Sequence, residues 1–304
     1  MDTATLLLFA LALDAALGEP ETLWRRVPHP AVLMGRAIDW GERRLNTGRH
    51  RKAKGMGLVA ALCAGAWWLG DAIGDLPFGV LWQSLLAAVL LAQKSLVDHV
   101  GDVAQGLETS LQAGRDAVAR IVGRDTAAMD RPAVSRAAIE SAAENFSDGV
   151  VAPALWFLVA GLPGILVYKV VNTADSMIGY RTDAFRDFGW AAARLDDVLN
   201  WVPARITAGF LCVGMGRWPG LAALRRDAGL HRSPNAGWPE AAMAFGLDVA
   251  LSGPRSYDGE MRDFPWVHER GNRQPGPRDI TRAVRALWRG WAGLLGMVLV
   301  LAIA

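Results

Sequence analysis

Residues 149–178 read GVVAPALWFLVAGLPGILVYKVVNTADSMI. The first 20 of them, through Tyr168, carry no charge, matching the ~20 apolar residues that a helix needs to cross a bilayer. Yet Gly161-Leu162-Pro163-Gly164 interrupts the run. Proline and glycine there would divide it into helical pieces of about 12 residues, each ~18 Å long, too short for a ~30 Å hydrocarbon core. Broken backbone at that depth is tolerated only when it is buried in protein or lines a wet cavity, and transporters build binding sites from such helices. The stretch therefore predicts a re-entrant helical hairpin over 149–178.

Working outward, further uncharged runs occupy 55–70, 76–93 and 290–304, with shorter ones at 3–13 and 206–216. Hydrophobic residues make up 52% of the 304-residue chain before its 33 glycines are counted, and charged residues only 20%, where soluble domains carry ~25%. Disorder and an ordinary soluble enzyme are excluded. Mean hydropathy is only +0.19, so the apolar excess is concentrated in segments. The expected fold is an all-α polytopic membrane protein of four to six membrane segments, at 3–18, 55–73, 76–97, the 149–178 hairpin, 198–216 and 286–304. Residues 1–304 would form one catalytic domain with sizeable cytoplasmic loops. The first segment lacks a basic leader and a small-residue cleavage site, so it reads as a retained span rather than a secretory signal. Cys63 and Cys212 lie in apolar segments and read as buried thiols. Well over half of the chain lies outside the apolar runs, which favours a membrane-embedded enzyme over a carrier.

Lysine and arginine mark cytoplasmic loops. Segment 19–54 holds nine of them, 98–148 five arginines and 217–285 eleven, whereas the 71–75 turn has only Asp71 and Asp75. The basic segments are expected on the cytoplasmic side, together with 171–197 if the hairpin returns to the side it entered from.

No phosphate-binding loop, dinucleotide fingerprint, HExxH, CxxC or nucleophile elbow is present. Polar residues instead crowd the apolar sequence between 140 and 205. Glu140, Glu144 and Asp148 recur every four residues on one helix face, which reads as a solvated acidic stripe or as a ligand set. Asn145, Ser147 and Gly149 surround them. Lys169, Asn172 and Asp175 or Ser176 share another face. Ionisable groups at membrane depth usually face a cavity or a partner, although Lys169 would also suit a snorkelling position. Arg194-Leu195-Asp196-Asp197 follows; adjacent carboxylates suit a hard cation bridged to phosphates, or Arg194 pairs with Asp197. His29 sits between two prolines, and His231 precedes the turn-rich Ser233-Pro234-Asn235-Ala236-Gly237-Trp238-Pro239-Glu240.

These strings, from Asp14 and Pro28-His29-Pro30 through Glu144-Asn145-Phe146-Ser147-Asp148-Gly149, Tyr168-Lys169, Asn172-Thr173-Ala174-Asp175-Ser176, Arg194-Leu195-Asp196-Asp197, Asn200 and Pro203-Ala204-Arg205 to Ser233–Glu240, run nearly end to end. The chain resembles the CobD/CbiB family of membrane-bound cobinamide-phosphate synthases. It departs from the family pattern at Glu19, where Asp is expected before Pro20.

The resemblance implies an ATP- and Mg2+-dependent amide ligation in cobalamin biosynthesis. The propionate carboxylate of (adenosyl)cobyric acid would be joined to aminopropanol or ethanolamine, free or O-phosphorylated. It implies catalytic roles for Asp148, Lys169, Asp175, Asp197 and Arg194, and metal ligation by Glu144, Asp148, Asp175, Asp196 and Asp197. Substrate or nucleotide contacts would fall to Asn145, Ser147, Asn172, Asn200, Arg205, His231, Ser233, Asn235, Glu240 and His29, with His231 or His29 carrying protons. Partners are the corrinoid, the aminoalcohol, ATP and membrane lipid, with no nucleic acid; association with other corrinoid-assembly membrane enzymes or with a second copy is left open. The expected location is the inner membrane, with the active site on the cytoplasmic side. Two competing readings are an Mg2+-dependent prenyl or phosphoalcohol transferase and a corrinoid-handling transporter. Against the first, Asp148-Gly149 is followed by Val-Val-Ala-Pro, not the D-G-x-x-A-R run of phosphoalcohol transferases.

Overall fold

Four helical stretches are long and apolar enough to cross a membrane, Arg51–Gly74, Gly79–Thr109, Arg131–Ile178 and Pro277–Ile303, and a fifth arises if Trp190–Leu199 and Trp201–Met215 form one broken span. The computed structural model describes residues 2–18, 24–257 and 260–304; Glu19 and Pro20, and so the departure at position 19, lie outside the described residues. The protein is a mostly helical, polytopic membrane protein. Trp67, Trp68 and Leu69 on one span and Val300, Leu301 and Ile303 on another are exposed, as lipid-facing side chains are.

The chain packs as two compact units, each assembled from separate stretches: Met1–Ala92, Ala152–Asn200 and Val298–Ala304 in the first, Gln93–Val151 and Trp201–Met297 in the second. The first contains α1 (Thr3–Leu17), α2 (Pro30–Leu45), α3 (Arg51–Gly74), α4 (Gly79–Leu90), α8 (Ala152–Ile178) and α9 (Trp190–Leu199). Its 15-residue α1 is capped by Asp2, whose carboxylate accepts from the Thr5 N–H, and ends at Gly18. At ~22 Å this helix is shorter than a full crossing. The expected 76–97 segment is interrupted where Leu91 turns extended (φ −81°, ψ 156°) after α4.

The predicted break is present. Within α8, Ala160 leaves helical geometry and Gly161 adopts φ 60°, ψ −151°, a conformation open in practice to glycine alone. The chain then reverses. A Cβ at Gly164 would lie 2.3 Å from the carbonyl oxygen of Trp156, eight residues earlier, whereas eight residues of straight helix span ~12 Å. The tip packs backbone to backbone on α3, since a Cβ at Gly70 would lie 2.6 Å from the Pro163 nitrogen. Below the tip, Ala174, Ile178, Phe188 and Ala192 form one apolar cluster with Ile38 of α2 and Leu58 and Val59 of α3.

The second unit contains α5 (Gln93–Thr109), α6 (Leu111–Val118), α7 (Arg131–Phe146), a π turn over Ser147–Val151, α10 (Trp201–Met215), α11 (Leu221–Ala228), α12 (Gly237–Leu247) and most of α13 (Pro277–Ile303). Asp130 caps α7 through the Ala133 N–H, and Val134, Ala137, Ala138, Ile139, Ala142, Ala143 and Phe146 bury it. It packs against α5 and α12. The all-helical expectation gains two small antiparallel ribbons. Leu251–Ser252 (β1) pairs with Trp266–Val267 (β4), and Arg255–Tyr257 (β2) with Glu260–Arg262 (β3). The expected 286–304 segment begins nine residues earlier, at Pro277. Cys63 and Cys212 are free thiols.

Two outcomes test this arrangement. Gly161→Ala should lower the melting temperature in detergent, at a cost of about 1–3 kcal/mol, while Gly57→Ala, where an added methyl meets nothing within 4 Å, should not. A Thr182→Cys variant lacking Cys63 and Cys212 should resist an impermeant maleimide added from the periplasm yet react in inverted vesicles; periplasmic labelling would show that the hairpin does not return.

Candidate functional site

In the first unit, the helical arm after Pro163 carries Lys169, Asn172 and Asp175 one turn apart, and α9 carries Arg194, Asp196 and Asp197 and ends at Asn200. The fold brings several of these together. Asn172 Nδ2 donates to Asp196 Oδ1 at 3.2 Å. The Tyr168 hydroxyl donates to Asn200 Oδ1 at 3.0 Å, with both side chains buried. Trp156 on the opposite arm donates from Nε1 to the Leu199 carbonyl at 3.1 Å. The two motifs, 24 to 32 residues apart in sequence, thus form one polar strip in an apolar bundle; the buried Tyr168–Asn200 bond is strengthened by its dry surroundings, and the Asn172–Asp196 bond is partly buried.

Asp175 lies over the helix end: a Cβ at Gly179 would fall 1.9 Å from its Oδ1, so only glycine fits there. Arg194 pairs with Asp197 at 3.5 Å across one helical turn, and the arginine is largely exposed. That is the ordinary surface pairing anticipated as the bland alternative. His29 is committed structurally: its Nδ1 accepts from the Ala31 N–H as the cap of α2, its Nε2 contacts the Val89 carbonyl at 3.2 Å, and Trp24 meets it edge-on. With Nδ1 accepting, the ring proton sits on Nε2 and donates to Val89.

In the second unit, Glu140 is buried, so the solvated-stripe reading fails for it. Its Oε2 accepts from Arg124 at 2.6 Å and Arg255 at 3.2 Å, and its Oε1 from the Ser252 N–H at 2.7 Å. Glu144 and Asn145 are exposed and Asp148 is half-buried. Asn145 folds back on Ser141, donating to its carbonyl at 2.9 Å and its hydroxyl at 3.0 Å. Ser147, in the π turn, is buried and its hydroxyl has no partner among the described residues; such turns often mark functional positions.

Residues Ser233–Ala236 form a pinned loop that leads into α12, whose first turn holds Gly237–Glu240. Ser233 Oγ accepts from the N–H groups of Asn235 and Ala236, each at 3.2 Å. Arg205 donates to Asn235 Oδ1 at 3.1 Å and the Pro234 carbonyl at 3.4 Å, with its guanidinium over the Trp201 and Trp238 rings. Arg205 therefore clamps this loop to α10. His231 Nδ1 accepts from the Ser233 N–H at 3.0 Å, and its Nε2 stands 3.6 Å from Glu240 Oε1. Burial, reinforced by the charges of Glu140 and Glu144, raises the Glu240 pKa well above the usual carboxylate range, while burial lowers that of His231. Both shifts favour the neutral forms. Glu240 Oε2 is buried and has no hydrogen-bond partner among the described residues.

Sequence reasoning passed over Tyr168 as a hydrogen-bonding residue and Arg124 and Arg255 altogether. A hydroxyl-bearing ring one residue before Lys169 in an apolar run was the available signal for the first. The arginines gave none, being 16 and 115 residues from Glu140.

Comparison with known proteins gives the family. The profile of the CobD/CbiB proteins matches residues 7–287. The protein named Cobalamin biosynthesis protein CobD from Brucella anthropi is 49% identical, over 97% of this chain and 95% of its own length. Its namesake from Brucella suis biovar 1 is 48% identical over 95% and 94%, and that from a Sinorhizobium species 46% over 99% of each. No solved structure matches. With a profile spanning nearly its whole length and relatives of this identity, the chain belongs to the CobD/CbiB family of cobalamin biosynthesis proteins.

Proposed function

We propose that the protein is an ATP- and Mg2+-dependent acid–amine ligase of the inner membrane, joining the propionate of (adenosyl)cobyric acid to an aminoalcohol on the cytoplasmic side. The observation that carries this reading is the polar strip Tyr168–Asn200 with Asn172–Asp196, built into the hairpin of a cobalamin biosynthesis protein. A carboxylate is a poor acyl donor. Its oxygen first takes the γ-phosphoryl group of ATP, releasing ADP, and the amine then attacks the acyl phosphate, expelling phosphate and losing a proton. Phosphoryl transfer asks the protein chiefly for positioning and charge neutralisation.

Among the described residues no three His, Cys, Asp or Glu side chains gather into a metal cage. Mg2+ usually takes one or two carboxylates and completes its shell with water and substrate phosphates, and the oxygens of Asp196 and Asp197 fit that mode. When bound, the ion neutralises charge on the phosphates being transferred. Asn172 holds the Asp196 carboxylate in place through its amide. Tyr168 fixes the Asn200 amide, and Lys169 supplies positive charge to phosphate from the same helical arm. Asp175, over Gly179, orients the end of that arm.

The test is ATP consumption by the detergent-solubilised protein with cobyric acid and an aminoalcohol, read with product mass. Consumption should require both substrates and yield the amide; hydrolysis without product would favour a transporter, and loss of a prenyl or phosphoalcohol donor instead of ATP a transferase. Asp196→Asn should lower kcat by about 100-fold or more and raise the Mg2+ concentration needed, with an unchanged melting temperature. If Asp175→Asn, Asp196→Asn and Asp197→Asn all kept wild-type rates across a Mg2+ titration, the assignment would fail.

A further inference from the structure

Helix α2 packs inward through Gly35 on Met177, Ile38 in the apolar cluster and Gly41 on Leu58. Leu33, Arg36, Trp40 and Arg44, three to four residues apart, run along its opposite side and are all exposed, as is Val32 beside them. The two ends of the helix are tied to neighbouring spans at different depths. At the N-terminal end His29 Nε2 contacts the Val89 carbonyl at 3.2 Å. Val89 lies ten residues along α4 from Gly79, ~15 Å from the turn that joins α4 to α3, so this end of α2 is inside the bilayer. Past the C-terminal end, the Thr47 carbonyl accepts from Lys54 Nζ at 2.8 Å, in the first turn of the span that starts at Arg51.

The exposed stripe therefore runs from Val32 and Leu33 at hydrocarbon depth, through Trp40, to Arg44 and the exposed Arg49 at the membrane surface. Apolar side chain, indole and cation is the order that follows the acyl chains, interface and headgroups of a lipid leaflet.

The positive charge on this stripe is not balanced by protein. Asp39 is taken by Arg43 at 2.9 Å, and Glu42 accepts from Asn46 Nδ2 at 2.9 Å. Arg36 and Arg49 make no ion pair among the described residues, and Arg44 lies over the Trp40 ring, 4.8 Å from its centroid. Arg36 is the informative one. It stands between Leu33 and Trp40 on the same stripe, where an unmatched guanidinium facing lipid is costly. Its planar fork matches the oxygens of a phosphate.

We propose that the exposed face of α2 binds an anionic phospholipid of the leaflet at the Arg51 end of α3, with the phosphate on Arg36, the headgroup toward Arg44 and the acyl chains along Val32 and Leu33. A zwitterionic lipid fits less well, because its ammonium would face the same arginines. The site is independent of the ligation chemistry, and its failure would leave that reading as it stands.

The test titrates the full chain, delipidated in detergent, with phosphatidylglycerol and with phosphatidylcholine of the same acyl chains, read by native mass spectrometry. Phosphatidylglycerol should bind at least about 5-fold more tightly, the contribution of one uncompensated arginine at a membrane surface. Joint replacement Arg36→Gln and Arg44→Gln should weaken it about 10-fold or more and leave phosphatidylcholine unchanged. A second readout locates the lipid. Brominated phosphatidylglycerol should quench Trp40, whose emission is the part lost in Trp40→Phe, at concentrations where brominated phosphatidylcholine does not; this carries the test if the double variant fails to fold. Equal binding of the two lipids, unaltered phosphatidylglycerol binding in the double variant, or binding that leaves Trp40 unquenched would each overturn the proposal. So would displacement by glycerophosphoglycerol, the headgroup without its chains, at the same concentration as the lipid, since that would make this a site for a soluble phosphate diester.

Discussion

A helix broken inside a bilayer exposes backbone N–H and C=O groups that lipid cannot satisfy, and the break at Ala160–Gly161 imposes that demand on the whole first unit. The surrounding helices meet it. Thr3 of α1 reaches the Leu158 carbonyl at 3.4 Å. Gly70 lets α3 close on Pro163 without an intervening side chain, and Gln83 of α4 comes near Gly161. The short α1 and α4 thus have a reason to be there that their own burial does not supply: they enclose a reversal that a single span would not need. The steric tolerance at Gly70 is close to zero, because a methyl group there would fall inside the Pro163 backbone.

The reversal in turn makes a polar strip affordable in an apolar bundle. Tyr168, Asn172 and the acids of α9 would each be expensive alone at membrane depth, and a half-satisfied buried network is worse than an apolar core. Pairing Tyr168 with Asn200 and Asn172 with Asp196 divides the cost between two helices that already touch. The apolar cluster of Ile38, Leu58, Val59, Phe188 and Ala192 around Ala174 and Ile178 fixes the arm in register, so the side chains one and two turns above are held to hydrogen-bonding distance by packing rather than by their own bonds.

How much of this was legible in the sequence follows from distance along the chain. The Gly-Leu-Pro-Gly break and the one-face spacing of Lys169, Asn172 and Asp175 are local properties of a helix, and they are found where the periodicity places them. The pairing of Tyr168 with Asn200 is a contact across 32 residues, and no periodicity encodes it. The start of the first arm was less legible than its end: the break falls at Ala160–Gly161 as the sequence indicates, but the helical turns before it run on from α7 through the π turn, with no boundary at 149. His29 and Arg205 stand in conspicuous motifs and also have structural contacts that no motif spacing announces, one as the cap of α2 and the other on the loop before α12.

The arginines make the same point about counting charges. Read as topology markers, the sixteen in 98–148 and 217–285 are equivalent tokens of a cytoplasmic location. In the second unit they separate into different physical classes. Arg120 and Arg273 form exposed ion pairs, at 2.7 and 3.0 Å, of little energetic consequence. Arg136 donates to the Arg273 carbonyl at 3.0 Å and stacks on the Trp266 ring. Arg124 and Arg255 are buried on a single carboxylate, an arrangement whose desolvation cost a cytoplasmic marker would never need to bear. Removing Glu140 would leave two guanidiniums facing one another in a nearly dry wall, so the carboxylate is what allows positive charge to be stored there at all.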